Sequence, residues 1–107
     1  MKSIIQNEIE CFVCHTTSNL HCHHIYFGNG RRSISEKNGF KVYLCYNHHE
    51  GTEGVHGKNG HFLDELLKTV CQKKYEETHS REDFRTLIGK SYLGGNDDNT
   101  RNKARSL

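Results

Sequence analysis

Apolar and polar positions alternate in two short stretches of the first half of the chain, and this alternation predicts two β-strands. Residues 40–44 place apolar side chains at every second position, as expected of a strand that buries one face. Residues 20–26 form the other candidate strand. Gly28 and Gly30 follow it and predict a turn or loop between the strands. Glycines recur at every third position over residues 51–60, which predicts a further loop.

In the second half of the chain the apolar positions recur at three- and four-residue spacing, which predicts two helices. The first helix runs from about residue 62 to residue 77 and carries one apolar stripe. The residues of this stripe that we expect in the core are Phe62, Leu63, Leu66, Leu67, Val70, Cys71 and Tyr75. A second helix is predicted to begin after Ser80, because Asp83 stands three residues further on, as in an N-terminal cap. Gly89 or Gly94 ends that helix.

The chain has 107 residues, which is the length of one domain. We expect a folded unit at residues 1–93 and a disordered polar tail at residues 94–107. Only 33% of the residues are hydrophobic and 26% are charged, so the core is thin. A domain of this size and polarity typically needs disulfides or a metal ion to stabilise it.

The five cysteines and nine histidines favour a metal over disulfides. An odd number of cysteines leaves one thiol without a partner. The first ten residues contain acids and lack a long apolar run, so they do not predict a signal peptide, and no stretch is long enough to span a membrane. We therefore expect a cytoplasmic protein, whose cysteines are reduced and more often bind metal.

Two short motifs supply four ligands of the kind that zinc prefers. A Cys-x2-Cys and a Cys-x2-His knuckle each present two ligands from one tight turn, and together they suit a tetrahedral structural zinc. The predicted ligands are Cys11, Cys14, Cys45 and His48. His49 is an alternative fourth ligand, and Cys22 is a weaker competitor because it stands alone between histidines. Cys71 is expected in the core.

The chain resembles the HNH, or His-Me finger, endonucleases in the order of three motifs. These are Cys11–Cys14, His23-His24-Ile25 and Leu44-Cys45-x2-His48-His49. The resemblance covers about residues 11–56. The wider sequence, with Arg31-Arg32, Ser35-Glu36-Lys37 and Gly54-Val55-His56, also looks like small phage HNH proteins. Some of those belong with the recombination-associated nucleases.

This resemblance implies a small α+β fold: a ββα-metal, treble-clef-like core with structural zinc, followed by two C-terminal helices. It implies metal-dependent hydrolysis of phosphodiester bonds, with DNA favoured over RNA. His24 aligns with the general base, and Asn38 is the nearest candidate for the family's base-orienting asparagine. The implied ligands of a catalytic Mg²⁺, Mn²⁺ or similar ion are His23, His49 and His56, with His61 as second choice for the third position.

These residue types fit the chemistry of phosphodiester cleavage. A divalent ion neutralises charge on the phosphate and at the leaving oxygen. An imidazole that titrates near neutrality can activate water. His23 stands where aspartate is commoner in the family, and a neutral ligand favours softer divalent ions over Mg²⁺.

The net charge of +2 is too small to indicate a nucleic-acid partner by itself. Residues 31–41 are basic, either as a solvated loop or as a phosphate contact. For a nuclease we predict that Arg31 and Arg32 contact phosphate. The expected partner is nucleic acid, chiefly DNA, with a protein partner left open and no membrane. A phage origin would place the protein in the bacterial host cell.

A non-catalytic function is the alternative. The chain would then be a catalytically weak or inactive zinc-binding module of phage origin that binds nucleic acid or inhibits a host protein. The uncertain register of Asn38 favours this alternative, whereas the His23-His24 pair with His49 disfavours it. The remaining histidines His15, His21 and His79 are interpreted as structural.

Overall fold

The computed structural model describes residues 2–93. Within them the chain forms an α+β fold with one two-stranded sheet and four helices, which confirms the predicted fold class at that level. The elements in chain order are β1 (Leu20–His24), α1 (Arg31–Asn38), β2 (Lys41–Cys45), α2 (Tyr46–His49), α3 (His61–Tyr75) and α4 (Arg81–Ile88). The predicted tail at residues 94–107 lies outside the described residues. None of the helices in the described part has both the length and the apolar character to cross a membrane.

The two strands pair in an antiparallel register that divides the histidines between two faces. His23 lies opposite Val42, and His24 lies opposite Lys41. Side chains alternate along a strand, so His21 and His23 share one face of β1, whereas His24 lies on the other. Both strands were predicted, although β1 ends two residues earlier than expected and β2 is shifted by one residue.

The basic segment between the strands is a helix, not a loop. Helix α1 begins after Gly30 and ends before Gly39, and both glycines have positive φ angles, 85° and 75°. Sequence periodicity did not reveal this helix because Ile34 is its only large apolar residue. Contacts at the ends of α1 and at one buried serine therefore hold the helix in place.

That serine, Ser35, attaches α1 to the chain just after β1. Its hydroxyl donates to the carbonyl of Tyr26 at 2.7 Å and accepts from the Tyr26 N–H at 3.1 Å. Both residues are fully buried. A hydroxyl that satisfies both backbone groups of a buried residue avoids the cost of leaving them unpaired.

Helix α3 buries a narrower stripe than its sequence pattern predicts. Leu67 and Cys71 are fully buried as expected, but Phe62 is 77% exposed and Leu66 is 41% exposed, so the core prediction is wrong for these two. At 100° per residue, Leu66 lies about 140° around the helix from Cys71. An apolar stripe of that width cannot face one core.

Gln72 is buried on α3 and fixes the segment after α4. Its side-chain oxygen accepts from the N–H of Tyr92 at 2.7 Å, and its amide donates to Ser91 Oγ at 3.0 Å. The described chain therefore ends against α3 through satisfied polar groups, which a buried amide requires.

Helix α4 begins and ends where the sequence predicts. Ser80 Oγ accepts from the N–H of Asp83 at 3.0 Å, and the Asp83 carboxylate accepts from the N–H of Ser80 at 3.2 Å. This reciprocal pair is a capping box. Gly89, with φ 101°, ends the helix. Arg31 Nε donates to the carbonyl of Ile88 at 2.9 Å and so ties α1 to the end of α4.

Candidate metal centres

The first cluster consists of the four residues that the knuckle spacing predicts. Cys11, Cys14, Cys45 and His48 bring one ligand atom each to within 4.8 Å of the others. The distance between the sulfurs of Cys14 and Cys45 is 3.8 Å, and His48 Nδ1 lies 3.6 Å from the sulfur of Cys11 and 3.3 Å from that of Cys45. A tetrahedral zinc with bonds of about 2.3 Å to sulfur and about 2.0 Å to nitrogen has edges of about 3.8 and about 3.5 Å. The cluster can therefore hold a structural metal such as zinc.

Local backbone structure places these ligands. The N–H of Cys11 donates to Thr16 at 2.8 Å and closes the first knuckle. The N–H of Phe12 donates to the carbonyl of Tyr43 at 2.9 Å, which fastens the knuckle to β2. Cys45 ends β2, and His48 follows within α2, so the second pair is fixed by the strand-to-helix turn.

The surroundings of Cys11 favour its thiolate form. Burial acts to raise the pKa of this thiol, but backbone N–H groups of Cys14, Cys45 and Val13 lower it, and the net result is a pKa of about 6. Thiolate is the form that binds metal. Cys71, in contrast, is buried in the core, where desolvation raises its pKa to about 12. Cys22 belongs to neither cluster among the described residues.

The second cluster consists of His23, His49 and His56. Each offers one ring nitrogen, and these atoms lie within 4.8 Å of one another. The ring centroids are 5.3 Å apart for His23 and His49, 5.2 Å for His23 and His56, and 4.8 Å for His49 and His56. The structure thus brings together the three residues that the resemblance implies as metal ligands.

The glycine loop at residues 51–60 places His56 in this cluster. The N–H of His56 donates to the carbonyl of His49 at 2.9 Å, and the N–H of Val55 donates to that of His48 at 3.0 Å. The loop passes so close to α2 that a Cβ on Gly54 would lie 2.7 Å from backbone atoms of His48 and His49. The regular glycines therefore serve close backbone packing, and that packing delivers the third imidazole.

His23 is held as a neutral base. Its side chain is 2% exposed, and burial, followed by the neighbouring His49 and His56, lowers its pKa to about 3. Desolvation also lowers the pKa of His49. The Nε2 atom of His23 is buried without a hydrogen-bond partner. A buried polar atom in that state is costly, and a metal ion is one way to satisfy it.

Phe27 and Lys68 border this cluster. The ring of Phe27 lies 5.9 Å from that of His23 and 5.3 Å from that of His56. Lys68 Nζ lies 4.8 Å from the centroid of the Phe27 ring and also pairs with Asp64 at 2.9 Å. The edge of the cluster therefore combines an apolar surface with a cation.

His24 lies apart from the three histidines, on the opposite face of β1. Its Nε2 lies 2.7 Å from Glu36 Oε1, and Lys41 Nζ lies 2.8 Å from Glu36 Oε2. The hydrogen bonds from Lys41 and His24 lower the pKa of Glu36 to about 2. His24 is thus one member of an imidazole–carboxylate–ammonium chain.

The other predicted site residues do not join either cluster. Asn38 ends α1 and donates its side-chain amide to the carbonyl of Ile34 at 2.9 Å. Arg31 is engaged with the end of α4, and Arg32 is exposed. His61 is exposed at the start of α3.

Two potential ligands, His21 and Glu50, were not predicted as ligands from the sequence. His21, His49 and Glu50 form a further group whose ligand atoms lie within 4.8 Å of one another. Strand alternation carries the signal that would have revealed His21, since it stands two residues before His23. His15 pairs with Glu10, and the ring of His79 stacks on Tyr75, so both are engaged in local contacts.

Comparisons with protein-family models, with curated proteins and with solved structures found no match to this chain. The function proposed below therefore rests on the geometry of the two clusters and on the resemblance of the motifs.

Proposed function

We propose that this chain is a metal-dependent endonuclease of the HNH type, which hydrolyses phosphodiester bonds, with DNA favoured over RNA. One observation carries the proposal: the imidazoles of His23, His49 and His56 converge, and the Nε2 of His23 is buried there without a hydrogen-bond partner. The adjacent residue, His24, is paired with a carboxylate. A site for a divalent ion and an imidazole held by a carboxylate are the two kinds of group that metal-dependent phosphodiester hydrolysis uses.

His23, His49 and His56 would hold the divalent ion. When bound, that ion would neutralise charge on the scissile phosphate and at the leaving oxygen. Three protein ligands leave coordination positions open, as in catalytic sites. Because all three donors are imidazoles, ions such as Zn²⁺, Fe²⁺ and Ni²⁺ suit them better than Mg²⁺ does.

His24 would act as the general base. If its Nε2–H donates to Glu36, the lone pair resides on Nδ1, which then accepts a proton from the attacking water. The Glu36 carboxylate holds this tautomer and stabilises the imidazolium as it forms. Lys41 keeps Glu36 ionised.

The cysteine-rich cluster would contribute to the fold and not to the chemistry. Its ligand His48 is followed directly by His49, so a metal held there would fix the helix that carries one ligand of the histidine cluster. Four protein ligands form a closed sphere, which is typical of structural zinc.

A non-catalytic zinc module that binds nucleic acid is the second candidate function. It is favoured by the position of His24, which faces Glu36 on the side of β1 away from the three histidines. The engagement of the Asn38 amide with Ile34 points the same way, because it leaves that amide committed within α1.

A cleavage assay distinguishes the two candidates. Zinc-loaded protein is incubated with supercoiled plasmid, single-stranded DNA and RNA, each with Mg²⁺, Mn²⁺, Ni²⁺ or Zn²⁺. We expect metal-dependent cleavage of DNA, and His24→Ala should lower its rate by about 10²–10⁴-fold because the base is lost. His79→Ala is the matched control, since its ring contacts only Tyr75 and Thr78 among the contacts described, and it should cleave as wild type does.

The absence of cleavage with every ion and substrate, together with retained DNA binding, would favour the binding module. Cleavage by His24→Ala at the wild-type rate would exclude His24 as the base while leaving the nuclease function in place.

A further inference from the structure

We propose that His21, His49 and Glu50 form a second divalent-metal site, and that this site and the site of His23 exclude one another. The exclusion is inferred from the position of His49, which belongs to both groups of potential ligands. The inference goes beyond the proposed function, because it concerns metal binding and holds whether or not the chain cleaves nucleic acid.

The distances within this second group fit a metal ion. His21 Nδ1 lies 2.9 Å from His49 Nδ1, and His49 Nδ1 lies 3.3 Å from Glu50 Oε2. Two ligands that are each about 2.1 Å from an ion lie about 3.0 Å apart at right angles and about 3.4 Å apart at the tetrahedral angle. Both observed separations lie within about 0.1 Å of one of these two values.

The second site is open to solvent, whereas His23 is not. His21 lines an open groove that it shares with Cys14 and Cys45 of the first cluster. The side chain of Glu50 is 48% exposed. An ion bound to His21 and Glu50 would therefore keep water in its remaining coordination positions, as hard divalent ions prefer.

Exclusion follows from the chemistry of His49. A neutral imidazole has one protonated nitrogen and one lone pair, so it can coordinate one ion at a time. An ion that takes His49 into the second site leaves only His23 and His56 for the first.

The two sites also differ in the ions that they favour. Glu50 gives the second site an anionic oxygen ligand, whereas the ligands of the first site are all imidazoles. Carboxylate suits Mn²⁺, and imidazole suits Zn²⁺ and Ni²⁺. Mn²⁺ should therefore occupy the site of His21, and Zn²⁺ should occupy the site of His23.

Titration of zinc-loaded protein with Mn²⁺, followed by the electron paramagnetic resonance signal of free Mn²⁺, tests this assignment. Wild type should bind one Mn²⁺ per chain. His21→Ala and Glu50→Gln should each weaken Mn²⁺ binding by about tenfold or more, because each removes a ligand. His56→Ala should bind Mn²⁺ as wild type does, and a further equivalent of Zn²⁺ should release Mn²⁺ from wild type.

Matched controls are His15→Ala and Glu53→Gln, which remove an exposed histidine and an exposed acid outside all three groups. Zinc content and thermal melting of each variant establish that it is folded. Mn²⁺ binding that survives in His21→Ala and Glu50→Gln but is lost in His56→Ala would overturn the assignment. Simultaneous binding of Mn²⁺ and the added Zn²⁺ would overturn the exclusion, and absence of Mn²⁺ binding in wild type would overturn the site.

Discussion

The two metal-ligand clusters meet at consecutive residues, since His48 belongs to one and His49 to the other, yet they differ in how they are built. The cysteine-rich cluster takes its ligands from two tight turns, with two ligands from each. The cluster of His23, His49 and His56 takes one ligand each from a strand, a short helix and a loop. The first has four ligands and a closed sphere, and the second has three.

The electrostatic settings of the two clusters differ in the same sense. Backbone N–H groups stabilise a thiolate at Cys11, which prepares an anionic ligand. Burial among other imidazoles keeps His23 neutral. Under the proposed function, the first cluster would stabilise the fold, and the second would hold the ion that takes part in catalysis.

Loss of the closed cluster should have the largest effect. We expect a strong chelator, or Cys45→Ser, to abolish the cooperative thermal unfolding transition, because metal-binding energy is folding energy in small zinc domains. Circular dichroism and zinc analysis measure this effect. The matched control is Cys22→Ser, an exposed cysteine outside both clusters, which should melt as wild type does. Full zinc content in Cys45→Ser would disprove the ligand set.

Gly54→Ala tests how the open cluster is held. The added methyl group would meet the backbone of α2, so the loop must move away. We expect a loss of about 2 kcal/mol in the free energy of unfolding, together with a weaker response to added metal. His56→Ala should weaken the metal response without the loss of stability, because His56 is exposed. Equal stability of Gly54→Ala and wild type would show that the loop is not held by this contact.

Glu36→Gln should have a smaller effect, confined to catalysis. The amide cannot stabilise an imidazolium at His24 as a carboxylate does, so we expect a rate about tenfold lower at unchanged stability and zinc content. Steady-state kinetics should place the loss in kcat and not in KM. A rate equal to that of wild type would show that Glu36 does not assist His24. Glu77→Gln, on an exposed acid that pairs with Lys74, is the control.

The smallest effect is a pH dependence of stability caused by His23. Its pKa is about 3 in the folded chain and 6.5 for an ordinary histidine, so the unfolded chain binds the extra proton between these values. The contribution of His23 to the free energy of unfolding is therefore fully present above about pH 6.5, and it is lost as the pH drops toward 3. Between pH 7 and 5.5 we expect a loss of about 1 kcal/mol in zinc-loaded wild type that is missing in His23→Gln. Equal slopes in the two proteins would contradict a buried neutral His23.

Ligand pairs could be predicted from the sequence where the two ligands lie close together along the chain. Each zinc knuckle is a local turn, so spacing alone predicts the grouping of Cys11 with Cys14 and of Cys45 with His48. The capping box at Ser80 is local in the same way, and it was predicted for the same reason. Each of these features depends on a few neighbouring residues and on little else.

Features that depend on tertiary packing were harder to predict. Helix α1 has one large apolar residue and is fixed by Ser35, so periodicity could not reveal it. Leu66 lies on the solvent side of α3, although its spacing resembles that of the core residues. The grouping of His21 with Glu50 requires the strand, the short helix and the position of His49 together, and no single motif encodes it.

Whether the histidine cluster is the metal centre of a nuclease is tested most directly by the rate of DNA cleavage. This rate is measured for zinc-loaded wild type and zinc-loaded His56→Ala as a function of the concentration of the most active divalent ion. The rate of wild type should rise from near zero and saturate. His56→Ala, with unchanged zinc content and melting temperature, should need about tenfold or more ion to reach half of its maximal rate. A rate that does not depend on the ion concentration would contradict the assignment of the histidine cluster as the metal centre of a nuclease. Identical curves for the two proteins would contradict it as well.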